Sequence, residues 1–130
     1  MKAIQLIKYG DAHTAFQTNE VPIPSLKSRD SILIKVHAFG INFADVMARK
    51  GLYRAAPNLP AILGYEVVGI IEKVNANSNE HLIGKRVLAM TRFGGYAEYS
   101  VASIKGIIKI HDQVSNCLLY TSDAADDLGR

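Results

Sequence analysis

Side chains that can donate or accept hydrogen bonds gather around one glycine-containing stretch of this sequence. Asn42 and Asp45 follow Gly40 directly after a strand-like run, and Tyr53 comes shortly after them. An amide or a phenol beside a cleft can stabilise negative charge that develops on a ligand oxygen. A site is therefore expected where this strand ends and the next helix begins.

These polar residues also have structural explanations. Residues 43–50 followed by Gly51 predict a two-turn helix, since apolar side chains recur at helical spacing before a natural stop. Asn42 suits the N-cap, and Asp45 can reach back as in a capping box. For Tyr53 the alternative is a tyrosine at a loop edge with its hydroxyl in water. The apolar residues assigned to the helix face are Phe43, Val46 and Met47.

Metal chemistry is not favoured by the residue types present. The single Cys117 permits neither an internal disulfide nor a cysteine-based zinc site. Four histidines have no paired spacing and are interpreted as strand or loop residues: His13, His37, His81 and His111. We therefore expect no metal.

The elements that must position the candidate residues are mostly short strands. Alternating or apolar runs predict strands at 2–8, 31–37, 67–74, 86–90, 96–101 and 107–110. The prolines within 20–30 and 54–60 predict an extended connection and a loop. Many short strands with one or two short helices favour a mainly β fold, a partly closed β-barrel.

Length and composition limit the remaining possibilities. A chain of 130 residues holds one domain, and 48% hydrophobic with 21% charged residues is ordinary for a folded protein. Its net charge of +3 comes from scattered basic residues, so nucleic acid is not an expected partner. No apolar run approaches membrane-spanning length and no signal peptide is recognisable, so a cytoplasmic location is predicted.

Three motifs in order carry a family resemblance. The motifs Gly40–Tyr53, Gly64–Gly69 and Gly94–Tyr99 resemble the GroES-like catalytic domain of the medium-chain dehydrogenase/reductase superfamily. The branch is similar to the zinc-free quinone oxidoreductases, including vesicle amine transport protein relatives. The resemblance covers 1–116, and without a Gly-x-Gly-x-x-Gly fingerprint the Rossmann domain is expected to be lacking.

The resemblance implies hydride transfer from NADPH to a quinone or enone in the full-length parent, which is expected to be a homodimer. The positions matching zinc ligands in alcohol dehydrogenases hold Asn42 and Tyr65, so no zinc is implied. Asn42 and Tyr53 become the catalytic candidates, as donors to the acceptor oxygen, and Asn42 and Tyr65 the cofactor-binding candidates. A tyrosine of close relatives is replaced by Met47, so no role is carried over to that position.

Supporting roles are predicted for four further residues. Glu66 matches the family's Gly-x-Glu motif, and its carboxylate is expected to anchor the cleft unless it is a solvated strand-start residue. Asp45 supports the helix start. Gly64 and Gly69 are interpreted as backbone requirements for positive φ or close approach.

The last fourteen residues break the resemblance. Residues 117–130 look like sequencing-adaptor read-through on a truncated gene fragment, the alternative being a native short helix capped by Ser122 or Asp123. We expect the fragment to be inactive alone and to expose an apolar face. The alternative function is a stand-alone GroES-like barrel that binds a partner protein or membrane surface without catalysis.

Overall fold

The computed structural model describes residues 1–111 and 113–114 and shows a mainly β protein with short helices. This confirms the predicted fold class. The strands are β1 Lys2–Leu6, β2 Phe16–Glu20, β3 Ser31–Phe39, β4 Ala61–Ile62, β5 Glu66–Val74, β6 Arg86–Met90, β7 Tyr99–Ser103 and β8 Ile107–Lys109. The helices are α1 Ala12–Ala15 and α2 Phe43–Arg49, with 3₁₀ turns at Asn77–Leu82 and Ile104–Gly106. The predicted tail at 117–130 lies outside the described residues.

The strands form two antiparallel sheets. The smaller has the order β2-β1-β4 and the larger β7-β3-β5-β6-β8. An isolated bridge between Ala3 and Ala97 joins β1 to the chain just before β7. Within the described part of the chain the ladders do not continue into one closed barrel, so the expected barrel is two sheets in contact.

Strand β3 is an interior strand of the larger sheet and confirms the strand predicted at 31–37. It pairs with β5 on one side and β7 on the other. Ile32 and Ile34 are fully buried and pack with Val67, Ile71 and Val87. Each such side chain contributes roughly 1.5–3 kcal/mol by leaving water. The strand delivers the chain from this core to Gly40 and helix α2.

One strand begins later than predicted. The alternation at 96–101 indicated a strand from Tyr96, but β7 starts at Tyr99. The backbone of the preceding residues is used by β1 instead: Ile4 N–H donates to the Tyr96 carbonyl at 2.8 Å, and Glu98 N–H donates to the Lys2 carbonyl at 3.1 Å. The segment thus crosses from the smaller sheet to the larger one.

A second core lies between the smaller sheet and helix α2. Its buried members are Leu6, Ala15, Ala48, Ala61, Leu63 and Tyr96. Tyr96 stacks on Phe39 with ring centroids 4.6 Å apart, which ties this core to the end of β3. Across the described ranges, no helix is long and apolar enough to cross a bilayer.

Candidate functional site

The start of helix α2 is held by a carboxylate three residues inside it. Asn42 is the N-cap, in extended conformation with φ −107° and ψ 156°. Its backbone N–H donates to Asp45 Oδ2 at 2.9 Å, and Asp45 N–H donates to the Asn42 carbonyl at 3.0 Å. This is the reach-back contact expected for Asp45. It fixes the backbone that presents the Asn42 side chain.

Asp45 does more than the sequence indicated, because it is buried. Its exposed fraction is 3%, and Oδ1 accepts the Gly64 N–H at 3.1 Å. Burial first, and then the charge of Asp45, raise the pKa of Tyr96 well above its usual range. One carboxylate therefore connects the helix, the start of β5 and the second core.

The assigned apolar face of helix α2 was wrong. Asp45 and Ala48 are its buried residues, whereas Phe43 is 77% exposed. The buried face of the helix differs from the predicted face because the Asp45 carboxylate points inward and accepts the Gly64 N–H. Phe43 consequently projects away from the core beside the candidate cleft.

Two predicted site residues meet directly. The Tyr65 hydroxyl donates to the Tyr53 hydroxyl at 2.6 Å, and the rings are edge to face with centroids 6.2 Å apart. Tyr53 opens the loop after helix α2, and Tyr65 immediately precedes β5. The sequence separates these phenols by twelve residues, and nothing in either segment alone indicated the pairing.

Tyr65 is held firmly from the opposite side. Its carbonyl accepts the N–H groups of Thr91 at 2.8 Å and Arg92 at 3.3 Å, and its ring packs on Phe93 with centroids 5.3 Å apart. Burial, followed by the hydrogen bond to Tyr53, raises the pKa of Tyr65 to about 12, against the opposing effect of the Arg92 charge. The neutral phenol is therefore the form present at physiological pH.

An open cleft lies between the helix start and β5. Its volume is about 290 Å³, and it is lined by Asn42, Phe43, Ala44, Tyr65, Glu66 and Met90. Three predicted site residues therefore share one cleft: Asn42, Tyr65 and Glu66. Tyr53 is not among its lining residues and reaches it through the hydroxyl of Tyr65.

Glu66 contacts the strand end that leads to Asn42. A Cβ added at Gly40 would lie 3.0 Å from Glu66 Cγ, so the Glu66 side chain covers the bare α-carbon of Gly40. The Gly40 N–H also donates to the Glu66 carbonyl at 3.3 Å. The anchoring role of this half-buried carboxylate stays a prediction.

The two glycines predicted as backbone requirements sit in tight places. Gly64 has φ +102°, and a Cβ there would approach the Gly95 Cα to 2.8 Å. A Cβ at Gly69 would overlap the Lys35 carbonyl oxygen and lie 2.6 Å from Ile34 Cγ2. Gly64 lets the chain turn into Tyr65, and Gly69 lets β5 lie close against β3.

Sequence reasoning missed the residues that frame Tyr65: Met90, Thr91, Arg92 and Phe93. The signal available was the position of Thr91–Phe93 between a strand and the Gly94-Gly95 turn. Arg92 has φ +65°, the one non-glycine residue with positive φ in the described ranges. Such a conformation is sparsely populated and often borders a functional site.

The donor set does not suit a metal. Among the residues that the structure describes, no group of three or more His, Cys, Asp or Glu side chains lies close enough to hold an ion. The cleft lining instead offers one amide, one phenol and one carboxylate. These groups can hydrogen-bond a carbonyl oxygen or an amide of a planar ligand.

Comparison with known proteins identifies a family match over most of the described chain. Residues 28–112 match the profile of the alcohol dehydrogenase GroES-like domain. The human quinone oxidoreductase is 33% identical over 115 residues, which are 88% of this chain and 35% of that protein. The chain thus spans about a third of the length of this relative.

One further curated protein and one solved structure are similar to this chain. The zebrafish (Danio rerio) synaptic vesicle membrane protein VAT-1 homolog is 39% identical over 80 residues, covering 62% of this chain and 16% of that protein. The crystal structure of Escherichia coli quinone oxidoreductase complexed with NADPH superposes with a TM-score of 0.82 and 28% identity. That match covers 94% of this chain and 37% of the other.

Proposed function

The chain belongs to the alcohol dehydrogenase GroES-like domain family of the medium-chain dehydrogenase/reductase superfamily, and we propose that it forms the substrate side of an NADPH-dependent quinone or enone reductase. The full reductase would need a nucleotide-binding domain beside this one. The proposal is supported most directly by the cleft that brings Asn42, Tyr65 and Glu66 together, with Tyr53 behind it.

The cleft residues fit the nicotinamide end of such a cofactor. A nicotinamide ring carries an amide that both donates and accepts hydrogen bonds, and Asn42 and Tyr65 in the cleft lining can supply matching groups. Phe43 and Met90 add apolar surface against which a planar ring can lie. When bound, NADPH supplies the hydride, so no side chain of this chain needs to be redox-active.

The protein's own residues would orient the acceptor and stabilise its charge. Reduction of a quinone or enone places negative charge on the carbonyl oxygen, and a fixed donor beside that oxygen lowers the barrier. The backbone of Asn42 is fixed by the capped helix start, and the Tyr53 hydroxyl is bonded to Tyr65. Both remain proposed catalytic residues.

The exposed apolar surface near the cleft supports the need for a covering partner. Ile41 and Phe43 are 76% and 77% exposed, and Met90 is 55% exposed. Apolar side chains grouped at a cleft commonly mark an interface. We propose that a nucleotide-binding domain covers them, which would also exclude water from the reaction.

The test is a hybrid enzyme. Residues 1–111 replace the matching segment of the E. coli quinone oxidoreductase, and NADPH oxidation is followed with and without a quinone. The expected result is quinone-dependent oxidation by the hybrid and none by the 130-residue chain alone. A hybrid that binds NADPH but does not reduce the quinone would contradict the proposal. A cytoplasmic location and a homodimeric parent stay predictions.

A further inference from the structure

We propose that Arg92 selects acceptors that carry an anionic substituent, a carboxylate or a sulfonate, and binds that substituent in a groove beside the cleft. This inference rests on the proposed function and names a substrate class for the same site. The enone or quinone part would lie in the cleft, and its anionic substituent would extend to the guanidinium group.

The groove adjoins the cleft and is larger. Its volume is about 520 Å³, against about 290 Å³ for the cleft, and Tyr65 and Met90 line both spaces. The other residues that line the groove are Ser31, Thr91, Arg92, Val101, Ala102 and Ser103. Because the two spaces share two lining residues, an acceptor bound in the cleft can extend past Tyr65 into the groove.

Arg92 is the one charged residue among the described residues that line this groove. Its side chain is exposed, and no carboxylate of the described ranges forms an ion pair with it. A guanidinium group can bind a carboxylate through two parallel N–H···O bonds, which fix both the position and the orientation of the anion. The groove therefore offers a built-in partner for a negative charge.

The neighbouring charges leave this positive charge uncancelled. Lys105 and Asp30, which adjoin the groove in the sequence, form an exposed pair with Nζ and Oδ2 2.8 Å apart, so their charges offset each other. Glu66 lines the cleft but not the groove. An anionic substituent is thus favoured in the groove and not in the cleft itself.

The guanidinium group also lies close enough to Tyr65 to act on it. The charge of Arg92 opposes the rise in the pKa of Tyr65 that burial and the hydrogen bond to Tyr53 produce. The positive charge is therefore near the phenol that the cleft and the groove share. A substituent bound there would hold the reacting part of the same molecule in the cleft, where its orientation matters for hydride transfer.

The backbone at Arg92 indicates that its side chain is used. Its φ of +65° is a conformation that glycine or asparagine adopts more readily than arginine. The N–H groups of Thr91 and Arg92 both donate to the Tyr65 carbonyl, at 2.8 and 3.3 Å, and so hold this turn against the start of β5. An arginine in such a conformation is explained better by what its side chain binds than by its backbone.

Binding to the 130-residue chain tests the site without turnover. The probes are the para-carboxylate of benzylideneacetone and its methyl ester, which keeps the ring and the enone without the charge. In an NMR titration the carboxylate should shift the Arg92 side-chain signals and bind about tenfold more tightly than the ester. Added salt should reduce this preference. The absence of a carboxylate-specific shift at Arg92 would overturn the inference.

The variant R92N separates binding from folding. Asparagine tolerates positive φ, so R92N should unfold in urea at no lower concentration than wild type. It should nevertheless bind the carboxylate no more tightly than the ester. K73Q removes the same charge from an exposed position of β5 outside the groove lining and should keep the preference. A folded R92N that still prefers the carboxylate would contradict the assignment.

The hybrid enzyme tests the consequence for substrate choice. R92N should raise the KM for the carboxylate about tenfold and leave the KM for the ester and for NADPH unchanged. A rise in the KM for NADPH instead would place Arg92 against the cofactor and overturn the inference. If the unmodified hybrid reduces neither acceptor nor a simple quinone, the proposed function fails. The NMR comparison on the 130-residue chain then still decides whether Arg92 binds the anion.

Discussion

The Asp45 carboxylate accepts the backbone N–H of Gly64 at 3.1 Å, across nineteen residues of sequence and inside the protein. The same carboxylate caps helix α2 through the Asn42 N–H at 2.9 Å. Asp45 therefore fixes the distance between the two segments that carry the candidate site residues Asn42 and Tyr65.

Replacing Asp45 should destabilise the protein strongly. In D45A the buried Gly64 N–H loses its acceptor and the helix loses its cap, which together should cost about 3 kcal/mol. Urea denaturation measures this free energy of unfolding. D45N keeps one acceptor oxygen, but its amide NH₂ faces the other N–H donor, so it should lose less than D45A and still be clearly destabilised. A free energy of unfolding of D45A within about 0.5 kcal/mol of wild type would contradict this role of the carboxylate.

The sequence predicted the position of Asp45 but not its burial. A capping-box spacing is local and therefore visible in residues 42–45. The inward direction of the carboxylate depends on Gly64 and Tyr96, which are distant in the sequence. For the same reason the assigned helix face was wrong at Phe43. The pairing of Tyr53 with Tyr65 likewise depends on the fold bringing a loop start to a strand start.

The alternation of apolar and polar residues located one strand and misplaced the start of another. The alternation at 31–37 located β3, although Ser31 to Ile34 are all buried and do not alternate in burial. It failed at Tyr96, whose carbonyl pairs with Ile4 before the chain joins the larger sheet. Strand β2 and helix α1 were not predicted, since residues 12–20 are mostly polar and lie at the edge of the smaller sheet.

Gly69 should tolerate no side chain. In G69A the new methyl would overlap the Lys35 carbonyl between β3 and β5, so we expect a loss of about 3 kcal/mol in the free energy of unfolding. G84A is the matched control. A Cβ at Gly84 would have no atom within 4 Å, so G84A should lose only about 1 kcal/mol of stability, through its φ of +80°. Similar losses in both variants would contradict the close approach of β5 to β3.

Stability should fall at alkaline pH partly through Tyr65. Its pKa in the folded protein is about 12 against an ordinary 10.0, so folding favours the neutral phenol. That contribution is complete below pH 10.0 and is lost as the pH rises through about 12. Y65F should therefore lose less stability than wild type across this window, measured by urea unfolding at each pH. Parallel profiles for the two proteins would contradict the raised pKa.

The exposed apolar pair beside the cleft should promote self-association of the isolated chain. Changing Phe43 and Met90 together to serine should reduce binding of an apolar fluorescent dye and shift the chain toward monomer in light scattering. Stability should change by less than about 0.5 kcal/mol, because both side chains are exposed. I23S, at a residue 51% exposed outside the cleft lining, is the control and should have little effect.

The measurement that tests the central claim most directly is quinone-dependent NADPH oxidation by the hybrid enzyme, compared with its N42A variant. We predict that the hybrid reduces the quinone and that N42A lowers kcat about 100-fold while the hybrid stays folded. A folded hybrid that binds NADPH without reducing the quinone would contradict the account and favour a binding domain without catalysis. A kcat that does not change in N42A would show that Asn42 is not a catalytic residue.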